Sequence, residues 1–165
     1  ANVINLMRKS NKLIIGRIHG KAVGGGVGLA AACDYTFATK DSKIKLSEIA
    51  LGIGPFVIEP VVSRKIGNTA TAELALNPTK WRSADWANKK GLYSEVFDTI
   101  EELDANLEIY SKELSSYNME ALREIKKVLW KDTEHWDTLL HERAVISGRL
   151  VLSNYTKKTL EKFKK

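Results

Sequence analysis

The run Gly24-Gly25-Gly26-Val27-Gly28 restricts this chain more than any other feature. It follows Lys12–His19 (KLIIGRIH), apolar enough for a buried strand that Gly20 ends, and it leads into Leu29–Cys33, a helix rich in very small side chains. Glycine lets a backbone or a ligand approach closely, and a small-residue helix lies close against its neighbours. Two nucleotide-binding readings fail on spacing. A dinucleotide fingerprint needs Gly-x-Gly-x-x-Gly, but counting from Gly24 the third glycine position falls on Leu29. A phosphate loop needs four residues between its glycines before Lys-Ser/Thr; Gly16 and Gly20 are three apart, and Lys21 precedes Ala22. Two readings remain. One is a tight strand-to-helix turn. The other is an anion site of backbone amides at a helix start, able to hold a carbonyl oxygen as it becomes negative.

The chain changes character midway. Up to about residue 98 it mixes short strands, glycine turns and helices: Asp34–Thr39 reads as a second strand, Lys43–Leu46 as a third, and Leu92–Phe97 as another. Glycines and Pro55 break the chain through Gly52–Phe56. Helices are then expected over Val57–Ile66, closed by Gly67, and over Asn68–Leu76 and Ser83–Lys90. From Thr99 onward the reading is almost wholly helical. Thr99 and Glu102 form a capping box, and Ile100, Leu103, Leu107, Tyr110, Leu114 and Tyr117 make an apolar stripe behind it. Further helices are expected from Met119 to Trp130, from Glu134 to Leu152, and from Tyr155 to the end. This divides the chain into 1–98 and 99–165.

Composition excludes some classes. No apolar run approaches the ~20 residues that span a bilayer, so no membrane role is expected. Cys33 is the single cysteine and has no intrachain partner, which makes a reducing cytoplasm the default compartment. The net charge of +6 favours anionic partners, with Lys157, Lys158, Lys162, Lys164 and Lys165 crowded at the end. Nucleic acid is not the expected partner: Trp81, Trp86, Trp130 and Trp136 read as core or interface residues, since no strand is seen to present them beside basic residues. His135 and His141 have the wrong spacing for a zinc helix and one cysteine makes no thiolate cluster, so no metal site is expected; His19 reads as structural.

Glu48 is the carboxylate of most interest. It follows Ser47 and precedes the apolar, glycine-broken run Ile49–Val57. A carboxylate against apolar walls has a raised pKa and can shuttle protons; a glutamate near a helix start is also an ordinary capping or surface residue.

As a set, these residues resemble the crotonase superfamily, the enoyl-CoA hydratases and isomerases. The resemblance lies in Ile18-His19-Gly20-Lys21-Ala22-Val23-Gly24-Gly25-Gly26, in Leu29–Asp34, in Ser47-Glu48-Ile49-Ala50-Leu51-Gly52-Ile53-Gly54-Pro55, and in Arg64–Gly67 and Ala84–Gly91 through to Val96. It implies an α/β fold: a spiral of β-β-α turns without the family's front third, then a C-terminal helical region that builds a homotrimer or a dimer of trimers. It implies a coenzyme A thioester as substrate and no separate cofactor. Gly25 matches the position of the second oxyanion amide, the first belonging to the front third. Glu48 matches the second of the two glutamates usual in hydratases, and the first falls on Gly28, which has no side chain. Double-bond isomerases work with one base, so isomerisation is favoured over hydration by Glu48 alone; a weakly active acyl-CoA-binding scaffold is the third reading. Gly24, Gly26, Gly28, Leu51, Gly52, Pro55 and Phe56 are the implied substrate-binding residues. Lys162 and Phe163 are candidates for coenzyme A contact by position, and Glu59 is a possible substitute acid, with a helix-surface role the alternative.

Overall fold

One short unit, written twice, produces two three-stranded sheets. The computed structural model describes residues 1–162. After helix α1 (Asn2–Lys9), strand β1 (Ile15–Ile18) turns at Gly20 into β2 (Lys21–Val23), and α2 (Gly25–Ala32) carries the chain back. The same order repeats: β3 (Tyr35–Thr39) lies parallel to β1, with Ile15 beside Tyr35, and β4 (Lys43–Lys45) lies parallel to β2, with Lys21 beside Lys43. Parallel pairing needs a crossover, and α2 supplies it. Helix α3 (Glu59–Ala75) follows a 3-10 turn at Ile49–Leu51. Then β5 (Arg82–Ser83) adds antiparallel to β4, α4 (Ala84–Lys89) crosses, and β6 (Glu95–Phe97) adds parallel to β3. The sheets run β1-β3-β6 and β2-β4-β5.

Alanine in α2 is what allows the layers to close up. Val27, Ala30, Ala31 and Ala32 are buried and meet Ile58, Val61, Val62, Ile66 and Leu74 of the α3 region in one apolar core. Helix α3 bends at Gly67, whose φ of 78° and ψ of 159° are not helical. The two helices expected on either side of Gly67 are therefore two arms of one kinked helix. Strand β1 is shorter than the apolar run that announces it, and α1, β2, the two-residue β5 and the 3-10 turn have no counterpart among the expected elements. Helix α1 buries Ile4 together with the polar Asn5 and Arg8, so it lacks a plain apolar stripe. Strand β2 has only three residues with exposed ends.

The rest is helical: α5 (Ile100–Ser116), α6 (Met119–Leu129), α7 (Trp136–Val151) and α8 (Asn154–Glu161). Thr99 caps α5 as expected, its hydroxyl accepting from the Glu102 N–H at 3.1 Å while the Glu102 carboxylate accepts from the Thr99 N–H. Much of the α5 stripe is covered within the chain. Tyr110 stacks on Tyr35 of β3 with ring centres 4.7 Å apart, and Leu103 is buried, whereas Tyr117 stays exposed. Helix α6 is anchored on Asp34, just before β3. One carboxylate oxygen accepts from Lys126 at 2.6 Å and from the Ile14 N–H at 2.7 Å; the other accepts from the Trp130 indole at 2.7 Å.

The expectation that no tryptophan meets basic residues across a sheet is corrected. Pairing of β2, β4 and β5 sets Lys21 and Lys45 over the Trp81 ring, 5.4 and 4.5 Å from its centre. The sequence hides this because the three residues come from three separate strands or their flanks. No described helix is long and apolar enough to cross a membrane.

Candidate active site

The β2–β4 ladder continues one step beyond its strands: the Gly24 N–H donates to the Lys45 carbonyl at 3.1 Å. That bond fixes the start of α2 against the end of β4, three residues before Glu48. The Glu48 carboxylate consequently lies against the Gly24 Cα. A methyl group on Gly24 would stand 2.7 Å from Glu48 Oε1, and Gly24 has a φ of +53°, so both space and backbone require glycine.

Glu48 does not cap the following turn with its side chain. Its backbone carbonyl does the work, accepting from the Leu51 and Ile53 N–H groups, each at 3.0 Å. The carboxylate is left for something else. Its Oε2 is buried without a hydrogen-bond partner among the described residues. Burial pushes the carboxyl above its ordinary value, and its own backbone N–H offsets this only in part. Glu48 lines a cavity of 180 Å³ with Ile53, Gly54, Pro55, Phe56, Val57, Ile58 and, from α7, Ser147. A carboxyl group with a raised pKa therefore stands at the wall of an apolar hollow, partly shielded from water.

On the other side of Gly24, α2 begins. The Gly25 and Gly26 N–H groups have no hydrogen-bond partner among the described residues, and nothing lies within 4 Å of where a Gly25 side chain would be. Open space and free amides at a helix start suit a developing negative charge.

Of the sequence-derived candidates, the fold brings Gly24, Pro55 and Phe56 to Glu48. Leu51 and Gly52 go elsewhere: Gly52 lies under α8, its carbonyl accepting from the Thr156 hydroxyl at 3.2 Å, and neither lines the Glu48 cavity. Gly28 lies under Ile58, whose Cβ would stand 2.7 Å from a Gly28 methyl. Ile58 thus occupies the space into which a side chain at 28 would grow. Glu59 accepts from Ser63 at 2.7 Å and does not line the cavity. Lys162 is exposed after α8, and Phe163 is outside the described residues. Sequence reasoning missed Ile53, Val57, Ile58 and Ser147 as cavity walls. Ile53, Val57 and Ile58 flank the residues it named, whereas Ser147 arrives on a helix a hundred residues away and leaves no local signal. No group of three or more His, Cys, Asp or Glu among the described residues is placed to hold a metal ion.

Two stacked β-β-α turns joined by a small-residue helix, followed by a helical half, define a crotonase-type fold. The chain belongs to the enoyl-CoA hydratase/isomerase family, whose sequence model matches residues 1–163. It is 34% identical over 134 residues to a mitochondrial Delta(3,5)-Delta(2,4)-dienoyl-CoA isomerase of Pongo abelii, covering 79% of this chain and 40% of that protein. It is 30% identical over 126 residues to the 2,3-dehydroadipyl-CoA hydratase of Escherichia coli strain K12, covering 75% and 48%. The fold is similar to an enoyl-CoA hydratase from Mycobacterium avium at a TM-score of 0.90 and 24% identity, over 98% of this chain and 63% of that one. The chain thus spans less than half the length of these two curated relatives.

Proposed function

We propose that the protein moves a double bond in an enoyl-CoA thioester, with Glu48 as the sole proton carrier. The Glu48 carboxylate takes a proton from the α carbon, electron density moves onto the thioester oxygen, and the same carboxyl returns the proton at the γ carbon as the double bond shifts. The Gly25 N–H holds the enolate oxygen, and removal of such a donor typically costs ~10²–10³ in turnover. Gly24 and Gly26 admit the thioester, while Pro55 and Phe56 wall the acyl chain. The observation that carries this reading is Ile58 over Gly28: where the hydratase pattern places its first glutamate, the space is filled by an aliphatic side chain. The dienoyl-CoA isomerase similarity supports it.

Hydration by Glu48 alone is the second reading, favoured by the similarity to 2,3-dehydroadipyl-CoA hydratase. The assay that separates the two uses 3-enoyl-, 3,5-dienoyl- and 2-enoyl-CoA in deuterated water, with the protein and its Glu48→Gln variant. Migration with deuterium incorporation, lost in the variant, supports isomerisation. Addition of water to 2-enoyl-CoA supports hydration. Binding without turnover, unaffected by Glu48→Ala, leaves an acyl-CoA scaffold.

The assembly that goes with this reading is a homotrimer or a dimer of trimers. Its support is the set of exposed apolar side chains on α6 to α8, among them Val128, Leu129, Val145, Leu152 and Tyr155. Contact of Lys162 and Phe163 with coenzyme A and residence in the cytoplasm belong to the same reading.

A further inference from the structure

A second hollow, of 310 Å³, opens where the end of α1 meets α6. Its walls are Arg8, Lys9, Ser10, Asn11, Arg123, Lys126 and Lys127, five cations and no carboxylate. None of these residues lines the Glu48 cavity. The cations are in part neutralised from outside the hollow. Arg8 and Lys9 share Asp137, each at 2.7 Å, while Lys126 pairs with Asp34 and Lys127 with Glu124, each at 2.6 Å. Three carboxylates therefore face five cations, and Arg123 has no ion-pair partner among the described residues.

Helix-end electrostatics explains part of this. Arg8 and Lys9 lie in the last turn of α1, and Lys126 and Lys127 in the last turn of α6, where cations suit the negative end of a helix. It does not explain Arg123, which sits in the middle of α6, nor the convergence of all five around one hollow. Arg8 and Lys126 are also unlike solvated surface cations, since their side chains are 8% and 3% exposed. Their ion pairs with Asp137 and Asp34 fix both side chains in place, and the excess charge at the hollow is that of five cations over three carboxylates. The Ser10 hydroxyl and the Asn11 side-chain amide add short polar groups at the rim.

We propose that this hollow is a binding site for a phosphate group, separate from the Glu48 cavity. Arg123 supplies the planar fork that fits a phosphate, Lys9 and Lys127 close on it as point charges, and the paired Arg8 and Lys126 fix the floor of the hollow. The site joins α1 of the spiral to α6 of the helical half, so its ligand ties the two together.

The test is calorimetric titration of the protein with inorganic phosphate and with ribose 5-phosphate, at ionic strength matched with sodium chloride, alongside melting curves. The expected result is saturable binding and a higher melting temperature in phosphate than in chloride. Arg123→Ala and Lys127→Ala should each weaken binding by roughly tenfold, the size of one lost charge-assisted contact, while Glu48→Gln and the control Lys112→Ala leave it unchanged. Tighter binding of ribose 5-phosphate assigns the site to a phosphorylated small molecule; equal binding assigns it to the free ion. Absence of saturable binding overturns the proposal, as does binding that Arg123→Ala leaves intact. Weakening of phosphate binding by Glu48→Gln overturns its separateness. The two exposed variants avoid the buried pairs that hold the fold, so loss of binding is not confused with loss of structure.

Discussion

Glu48 lines the apolar cavity directly, whereas Gly28 lies under Ile58, one of that cavity's walls, which fills the space a side chain at 28 would need. Burial raises the Glu48 carboxyl, so the folded chain keeps that proton to higher pH than the unfolded chain does. The stability associated with the group is full below the ordinary carboxylate range and is lost as pH rises through the raised folded value. Glu48→Gln should therefore be more stable than the parent near neutral pH, with the gap closing as the pH falls through the carboxylate range in calorimetry. The acid limb of kcat/KM should lie above the ordinary glutamate range, since the shuttle starts from the ionised form. At Gly28, an added methyl group must displace Ile58, so Gly28→Ala should cost about 1–3 kcal/mol in urea unfolding. Shortening Ile58 to alanine in the same chain should recover part of that cost. That Glu48, Gly24, Pro55 and Phe56 lie near one another is what the crotonase resemblance implies, since all four fall in or beside its two motif blocks. Ile58 as the occupant of the Gly28 space was not readable from sequence, because the contact forms only when α3 packs on α2.

At the scale of elements, the buried Asp34–Lys126 pair decides where α6 sits. Its side chains are 4% and 3% exposed, and Asp34 also accepts from Trp130 and Ile14, so removing one partner strands a charge away from water. Lys126→Met should cost about 3–5 kcal/mol, with amide exchange rising first in α6. The Thr99 cap is a smaller case: Thr99→Ala should cost about 1 kcal/mol and fray the first turn of α5 in hydrogen exchange, because the hydroxyl meets only one free amide. These elements differ in how plainly they announce themselves. The capping box and stripe of α5 are local chemistry and are visible in the residues. Strand β2 is not, since three residues carry little periodicity and its identity comes from pairing with β4. Helix α1 escapes the apolar pattern because Asn5 and Arg8 are buried for their bonds rather than their hydrophobicity: Arg8 reaches Asp137 at 2.7 Å and Asn5 donates to the Trp136 carbonyl at 3.3 Å.

For the whole molecule, the question is whether residues 1–98 and 99–165 behave as separate bodies. The change from mixed to helical character at residue 99 suggests a boundary, but the core does not stop there. Trp130, Trp136 and Leu140 belong to the same buried cluster as Val27, Ile44 and Val61. Polar ties also cross the boundary, among them Arg17 to Asp104, Asp34 to Lys126, Arg8 to Asp137, and Gly52 to Thr156. The first is exposed and contributes little, whereas those at Asp34 and Gly52 join buried or half-buried groups. Shared apolar burial is cooperative, since exposing it on one side exposes it on the other. Urea unfolding should therefore be a single transition. Fluorescence of Trp130 and Trp136, isolated by replacing Trp81 and Trp86 with phenylalanine, should fall in step with the far-ultraviolet signal of all helices. Two separated transitions would make the helical half an independent body, and the Glu48 cavity would then lose the α7 wall at Ser147 before the spiral itself unfolds. Coincident transitions would mean that the Glu48 cavity, walled by both halves, persists as long as the fold does.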